Sequence, residues 1–228
     1  MRAILLSGGY GTRLRPLTLK TPKCLMPIKN KPLLEIWFER LSEANLGPLL
    51  VNTHYLSDQV EKYVNASKYK DRVTLVHEDL LLGTAGTLIR NLDFYKGGDG
   101  LLIHADNYCL ANFAELQIAH RNRPSECLMT MLTFRTDSPT TSGIVELDKR
   151  GVVIGFHEKT QNPPGNLANG AIYILSSGLI DILRKNLSHV KDFSTEVIPL
   201  LMGKIYSHET YESLIDIGSI DSYKRANE

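Results

Sequence analysis

Leu5-Leu6-Ser7-Gly8-Gly9-Tyr10-Gly11-Thr12-Arg13-Leu14-Arg15-Pro16-Leu17-Thr18, closing on Thr21-Pro22-Lys23, is the stretch whose reading decides the fold. The apolar run Ala3 to Leu6 reads as a buried first strand, so the glycines lie where that strand leaves its sheet. Three glycines, at positions 8, 9 and 11, let the backbone turn tightly and bring bare N–H groups close to phosphate oxygens. Arg13, Arg15 and Lys23 add cations able to neutralise phosphate charge. Taken alone, the glycines fit an ordinary solvated turn equally well.

Outward from the loop, the pattern alternates strand and helix. Pro32 to Ala44 reads as an amphipathic helix with Leu33, Trp37, Leu41 and Ala44 on one stripe, and Leu49 to Asn52 as a strand. Ser57-Asp58 is placed to cap a helix carrying Val60, Tyr63 and Val64, followed by a strand from Val73 to Val76. Gly83-Thr84-Ala85-Gly86 opens a short helix, Leu101 to Ala105 forms a strand delivering Asp106, and Asn112 starts a helix to about His120. This order predicts an α/β fold, Rossmann-like and three-layered, with a mixed, mostly parallel central sheet. Beyond Pro124, strands are expected at Leu128–Phe134, Ile144–Leu147, Val152–Phe156 and Ala171–Leu175, and helices at Ser177–Lys185, Phe193–Met202 and from Ser219. Short strands fall around Ile205 and at Leu214-Ile215. We read one domain over 1–228, a nucleotide-binding half at about 1–123 grading into a second half at about 124–228.

A net charge of +1, with acids and bases interspersed, predicts neither a nucleic-acid partner nor a membrane surface. With no membrane-length apolar run and no secretion-signal pattern, a cytoplasmic location is expected. Cys24, Cys109 and Cys127 are odd in number and far apart, which predicts reduced thiols and no disulfide or zinc framework.

Two aspartates stand at strand ends: Asp106, and Asp216 after Leu214-Ile215. Together they could hold one Mg2+, whose octahedral shell typically takes one or two carboxylates with phosphate and water completing it. Singly, each would read as a turn former or cap.

Two phosphate motifs are excluded: a P-loop needs Lys-Ser/Thr where Gly11 is followed by Thr12-Arg13, and a dinucleotide fingerprint needs a small residue where Leu14 stands. The spacing Gly9-x-Gly11-Thr12-Arg13-x-x-Pro16-x-Thr18, then Pro22-Lys23, instead resembles the signature of the sugar nucleotidyltransferases. Later blocks resemble the same family in order: Asp106; Gly143-Ile144-Val145; Glu158-Lys159; Asn169-Gly170-Ala171-Ile172-Tyr173, with Gly and Ala exchanged; and Asp216-Ile217-Gly218. The resemblance implies transfer of a nucleoside monophosphate from an NTP to a sugar 1-phosphate, with Mg2+ on Asp106 and Asp216. It also implies nucleotide contacts from Leu6, Ser7, Gly8, Gly9, Gly11, Thr12, Arg13, Lys23, Glu78, Gly83, Thr84 and Asp106. Sugar-phosphate contacts would come from Gly143, Glu158, Lys159 and Asn169, while Arg13, Lys23, Asp106 and Asp216 carry the catalysis.

Glu78 stands where thymidylyl and uridylyl relatives carry a Gln, and an ionised carboxylate suits the N–H donors of guanine while opposing the carbonyls of uracil. GTP is therefore expected, in line with a resemblance to mannose-1-phosphate guanylyltransferases and the related heptose enzymes. Open alternatives are a uridylyl- or thymidylyltransferase acting on a hexose or muramate 1-phosphate, a phosphocholine cytidylyltransferase, and a catalytically silent regulatory subunit. Homo-oligomerisation is left open, and no C-terminal acyltransferase domain is expected within the chain.

Overall fold

A computed structural model describes residues 1–228. In chain order the elements are β1 Arg2–Leu6, β2 Pro27–Ile28, β3 Lys31–Pro32, α1 Leu33–Glu43, β4 Leu49–Thr53, α2 Ser57–Ala66, β5 Val73–His77, α3 Gly83–Arg90, β6 Gly100–His104, β7 Asn107–Cys109 and α4 Phe113–Arg121. They continue with β8 Met129–Arg135, β9 Gly143–Leu147, β10 Val153–Glu158, β11 Leu167–Leu175, α5 Ser177–Asn186, β12 Ile205–Glu209, β13 Leu214–Asp216 and α6 Ile220–Asn227. Two compact units interleave along the chain: Met1–Leu81, Ile103–Leu110 and Glu212–Glu228 form the first, and Leu82–Leu102 with Ala111–Tyr211 the second.

In the first unit β1, β4 and β5 run parallel, with Leu6 opposite Asn52 and Thr53 opposite His77. Ala3, Ile4 and Leu5 are fully buried, as their unbroken apolar run requires of a strand covered on both faces. α1 buries Leu33, Leu34, Trp37, Phe38 and Leu41, a three-and-four spacing that turns one helix face inward. Each such side chain contributes about 1.5–3 kcal/mol. Trp37, the sole Trp, is thus committed to the core. α2 begins at Ser57, but Leu56 occupies the capping position, so Ser57 and Asp58 lie inside the first turn, where the Asp58 charge complements the helix dipole. α6 opens on a capping box between Ser219 and Ser222.

In the second unit β9 pairs antiparallel with β10 and β11, β11 antiparallel with β8, and β8 parallel with β12. With helices alongside, these ladders make the mixed α/β fold expected from the sequence. One expectation fails: Phe193–Met202 is not an α-helix but a single wide turn, Phe193–Val197, running into a 3-10 turn, Ile198–Leu201. Pro199 offers no N–H for an i→i−4 bond, so a regular helix cannot propagate through it. Cys24, Cys109 and Cys127 are buried, and none takes part in a disulfide. No helix is long and apolar enough to cross a membrane.

Candidate active site

The glycine loop is held at both ends. Where β1 stops, the Ser7 N–H donates to Asn52 Oδ1 at 2.7 Å and the Ser7 hydroxyl to the Asn52 carbonyl at 2.5 Å. Gly11 adopts φ +61°, and a Cβ there would meet Thr18 Cγ2 at 2.9 Å, so only glycine fits both the turn and the approach. The Thr18 hydroxyl closes the turn by donating to the Gly11 carbonyl at 2.8 Å, while Leu14 is wholly buried beneath. The spacing from Gly11 to Thr18 is thus a fold constraint as much as a binding motif. It leaves Gly9, Tyr10, Thr12 and Arg13 exposed.

Lys23 is the centre of this unit. Its side chain is only 9 % exposed, and Nζ lies 2.8 Å from Asp106 Oδ2 and 3.0 Å from Asp216 Oδ1. Asp106 follows β6, and Asp216 ends β13, which pairs antiparallel with β7 so that Asp216 stands opposite Asn107. That short ladder carries the two aspartates, far apart in sequence, to one point. Burial works against the Lys23 charge, but Asp106 and then Asp216 outweigh it and raise its pKa. Burial likewise opposes the Asp106 charge, and Lys23 followed by His104 holds its pKa below the ordinary value. Arg13, 70 % exposed, reaches Asp216 Oδ2 with Nη2 at 3.4 Å. Next to Lys23, burial pushes the Cys24 thiol up to about 12, so it is an inert packing group.

Asp106 and Asp216 fit a hard divalent cation: both are oxygen donors, and both side chains keep about half their surface open. No group of three or more His, Cys, Asp or Glu side chains suited to a metal occurs, so a closed structural metal cage is not what this pair belongs to.

Glu78 is placed differently from what a base-facing carboxylate requires. It is 0 % exposed, and Oε1 accepts from Asn52 Nδ2 at 3.3 Å. Its carbonyl accepts from His54 Nδ1 at 2.7 Å, which leaves His54 Nε2 to accept from the Tyr10 hydroxyl at 2.9 Å in the neutral ring. Glu78 therefore buttresses the glycine loop through Asn52, and reading a base would require it to give up that contact. Asn52 and His54 escaped sequence reading; the only trace was a polar residue ending the apolar run Leu49–Val51.

The second unit brings its expected residues together on neighbouring strands. Gly143 on β9 pairs with Glu158 on β10, and Ala168 on β11 with Ile144, which sets Asn169 at the same strand ends. A Cβ on Gly143 would meet Glu158 Oε2 at 2.6 Å, so the glycine makes room for that carboxylate. Glu158 Oε1 pairs with Lys159 Nζ at 3.1 Å, and the Lys159 side chain is 65 % exposed, free to meet an anion. Asn169 accepts from the Ala171 N–H at 2.9 Å and donates to the Tyr173 hydroxyl at 2.8 Å, which fixes its amide plane. Tyr173, fully buried and packed against Phe193 with ring centroids 4.8 Å apart and planes tilted by 44°, was missed as a supporting residue. Gly83 and Thr84 open α3, but the Thr84 hydroxyl is engaged: it accepts from the Phe193 N–H at 2.7 Å and donates to Asp192 at 3.3 Å.

The chain is 32% identical over 223 residues to the mannose-1-phosphate guanylyltransferase catalytic subunit beta of Drosophila pseudoobscura pseudoobscura, covering 95% of this chain and 59% of that protein. It is 27% identical over 230 residues to the mannose-1-phosphate guanylyltransferase of Mycobacterium tuberculosis, covering 99% and 63%. It thus spans about three fifths of the length of the curated relatives it matches. Among solved structures it superposes on a Bacillus anthracis protein provisionally named a glucose-1-phosphate thymidylyltransferase, in complex with a sucrose, with TM-score 0.86, 22% identity and coverage of 100% and 94%. It also superposes on HddC from Yersinia pseudotuberculosis complexed with GMP-PN, with TM-score 0.83, 22% identity and coverage of 99% and 97%. The family model described as nucleotidyl transferase matches residues 2–228, a span that includes the glycine loop, Lys23 and both aspartates, and the chain belongs to that family.

Proposed function

We propose that the chain transfers a nucleoside monophosphate from an NTP to a sugar 1-phosphate of mannose or heptose type, with GTP as the preferred nucleotide, and releases pyrophosphate. The observation that carries this reading is Lys23 buried against Asp106 and Asp216 beside the glycine loop, a concentrated charge centre of the kind phosphoryl transfer needs. The preference for guanine rests on the names of the relatives. We place the activity in the cytoplasm.

In this reading an oxygen of the sugar phosphate forms a bond to the α-phosphorus of the NTP in line with the breaking bond to the β-phosphate. The electron pair of that broken bond leaves on pyrophosphate. A phosphate monoester with its second pKa near about 6 is largely a dianion at neutral pH, so no base has to remove a proton from the attacking oxygen. The residues act by position and charge. Arg13 neutralises the departing pyrophosphate, Lys23 the triphosphate, and Lys159 the sugar phosphate. Backbone N–H groups of residues 8 to 12 meet phosphate oxygens, while Glu158 and Asn169 hydrogen-bond sugar hydroxyls. Mg2+ held by Asp106 and Asp216 would supply neutralisation of charge on the phosphoryl oxygens.

A pyrophosphate-release assay tests this by crossing four NTPs with glucose, mannose, N-acetylglucosamine, muramate and heptose 1-phosphates. GTP with mannose or heptose 1-phosphate is expected to be fastest. Faster release with UTP or dTTP at matched concentrations overturns the guanine preference.

A further inference from the structure

Lys23 does more in this arrangement than await a phosphate. A side chain reserved for a nucleotide needs a cationic group open to it, as the Arg13 guanidinium and the Lys159 ammonium offer, with side chains 70 % and 65 % exposed. Lys23 is instead 9 % exposed, with Nζ against the two carboxylates that suit a divalent cation. Oxygens of Asp106 and Asp216 that share one nitrogen at these distances lie at most about 6 Å apart, close enough to repel without a cation. The ammonium supplies that cation in the nucleotide-free chain. It is tethered to its site, so a divalent ion from solution competes against a partner of high effective concentration. A triphosphate alters the balance: it offers Lys23 several anionic oxygens and offers the metal the phosphate ligands that two carboxylates lack.

We propose that Lys23 is a placeholder cation, holding Asp106 and Asp216 together before substrate arrives and yielding them to a divalent ion as it moves onto the triphosphate. The free chain should then bind divalent ions poorly, and metal and nucleotide should bind cooperatively. This deepens the reading of the site given above and rests on the aspartate pair being its metal site.

Mn2+ binding to the purified full chain, followed by electron paramagnetic resonance of the free ion, tests it without recourse to activity. Without nucleotide, Lys23→Met should bind Mn2+ at least tenfold more tightly than the unaltered chain, and Mn2+ should raise the variant's melting temperature more. Adding Asp216→Asn to Lys23→Met should abolish the gain. Arg13→Ala removes one positive charge from the same Asp216, so a simple change of net charge would tighten binding equally in that variant; the placeholder role predicts a far smaller effect. Lys23→Gln serves the same test if the Met variant does not fold. Equal or weaker Mn2+ binding by the Lys23 variants, or an equal gain in Arg13→Ala, overturns the proposal while leaving the metal site intact. No Mn2+ binding by any form, even with GTP present and beyond what GTP alone takes up, overturns the metal assignment and the proposal with it.

Discussion

Ala171 sits at φ +54°, a left-handed conformation in which a Cβ crowds the following carbonyl. It follows Gly170, so the glycine and alanine of Asn169-Gly170-Ala171-Ile172-Tyr173 stand in the order that strains the backbone. The exchange was visible in sequence, but its cost was not, because only the bulge in β11 between Asn169 and Tyr173 puts residue 171 in that conformation. Ala171→Gly should stabilise the chain by about 0.5–1 kcal/mol, the relief of the left-handed alanine less glycine's unfolded-state entropy, and raise the urea midpoint accordingly. Glu78 offers a second test at this scale. If its role is to hold Asn52, and through it Ser7, Glu78→Gln should lower kcat/KM for all four NTPs by a similar factor, since the Gln carbonyl keeps an acceptor but loses the charge. A selective loss with GTP would assign Glu78 to the base instead.

Among the elements, regular strands and amphipathic helices were legible because their apolar periodicity is local: β1, α1, β4, α4 and α5 fall where the pattern puts them. What sequence could not show were contacts made over long separations. The β7–β13 ladder joins residues 107–109 to 214–216, and nothing in either short segment names its partner. The turn at Phe193–Val197 was also hidden, since its apolar spacing imitates a helix until Pro199. That turn supports the Asn169 side chain: Phe193 packs with a tilted ring against Tyr173, whose hydroxyl takes the Asn169 amide hydrogen. Tyr173→Phe deletes only that hydroxyl. It should raise the KM for sugar 1-phosphate roughly tenfold, about 1.4 kcal/mol, and leave the KM for NTP unchanged; a merely structural hydroxyl would lower stability and shift neither KM selectively.

For the whole molecule, acid stability is set in part by a buried histidine in the second unit. His120 is 2 % exposed in its side chain, bonded through Nδ1 to the Thr130 hydroxyl at 2.8 Å, with Nε2 3.4 Å from Asp99. Burial, then Arg123, lowers its pKa to about 4 against the attraction of Asp99. The unfolded chain takes up that proton near the ordinary value of about 6.5. Stability is therefore fully present above that pH and falls with acidification until the folded pKa is reached, by about 2 kcal/mol from pH 7 to pH 5. Denaturant midpoints at the two pH values should show this loss, and His120→Gln, which has no proton to gain, should lose correspondingly less. The aspartates and lysine of the first unit were legible from motif spacing, because strand ends and glycine turns leave local marks. The contact of Lys23 with both aspartates was not, because it depends on folding a separation of 193 positions between Lys23 and Asp216. Pyrophosphate release from GTP and mannose 1-phosphate, compared between the unaltered chain and Asp106→Asn, tests the central claim most directly. The account predicts divalent-metal-dependent release that falls at least about a hundredfold in the variant; release that is unchanged in Asp106→Asn would contradict it.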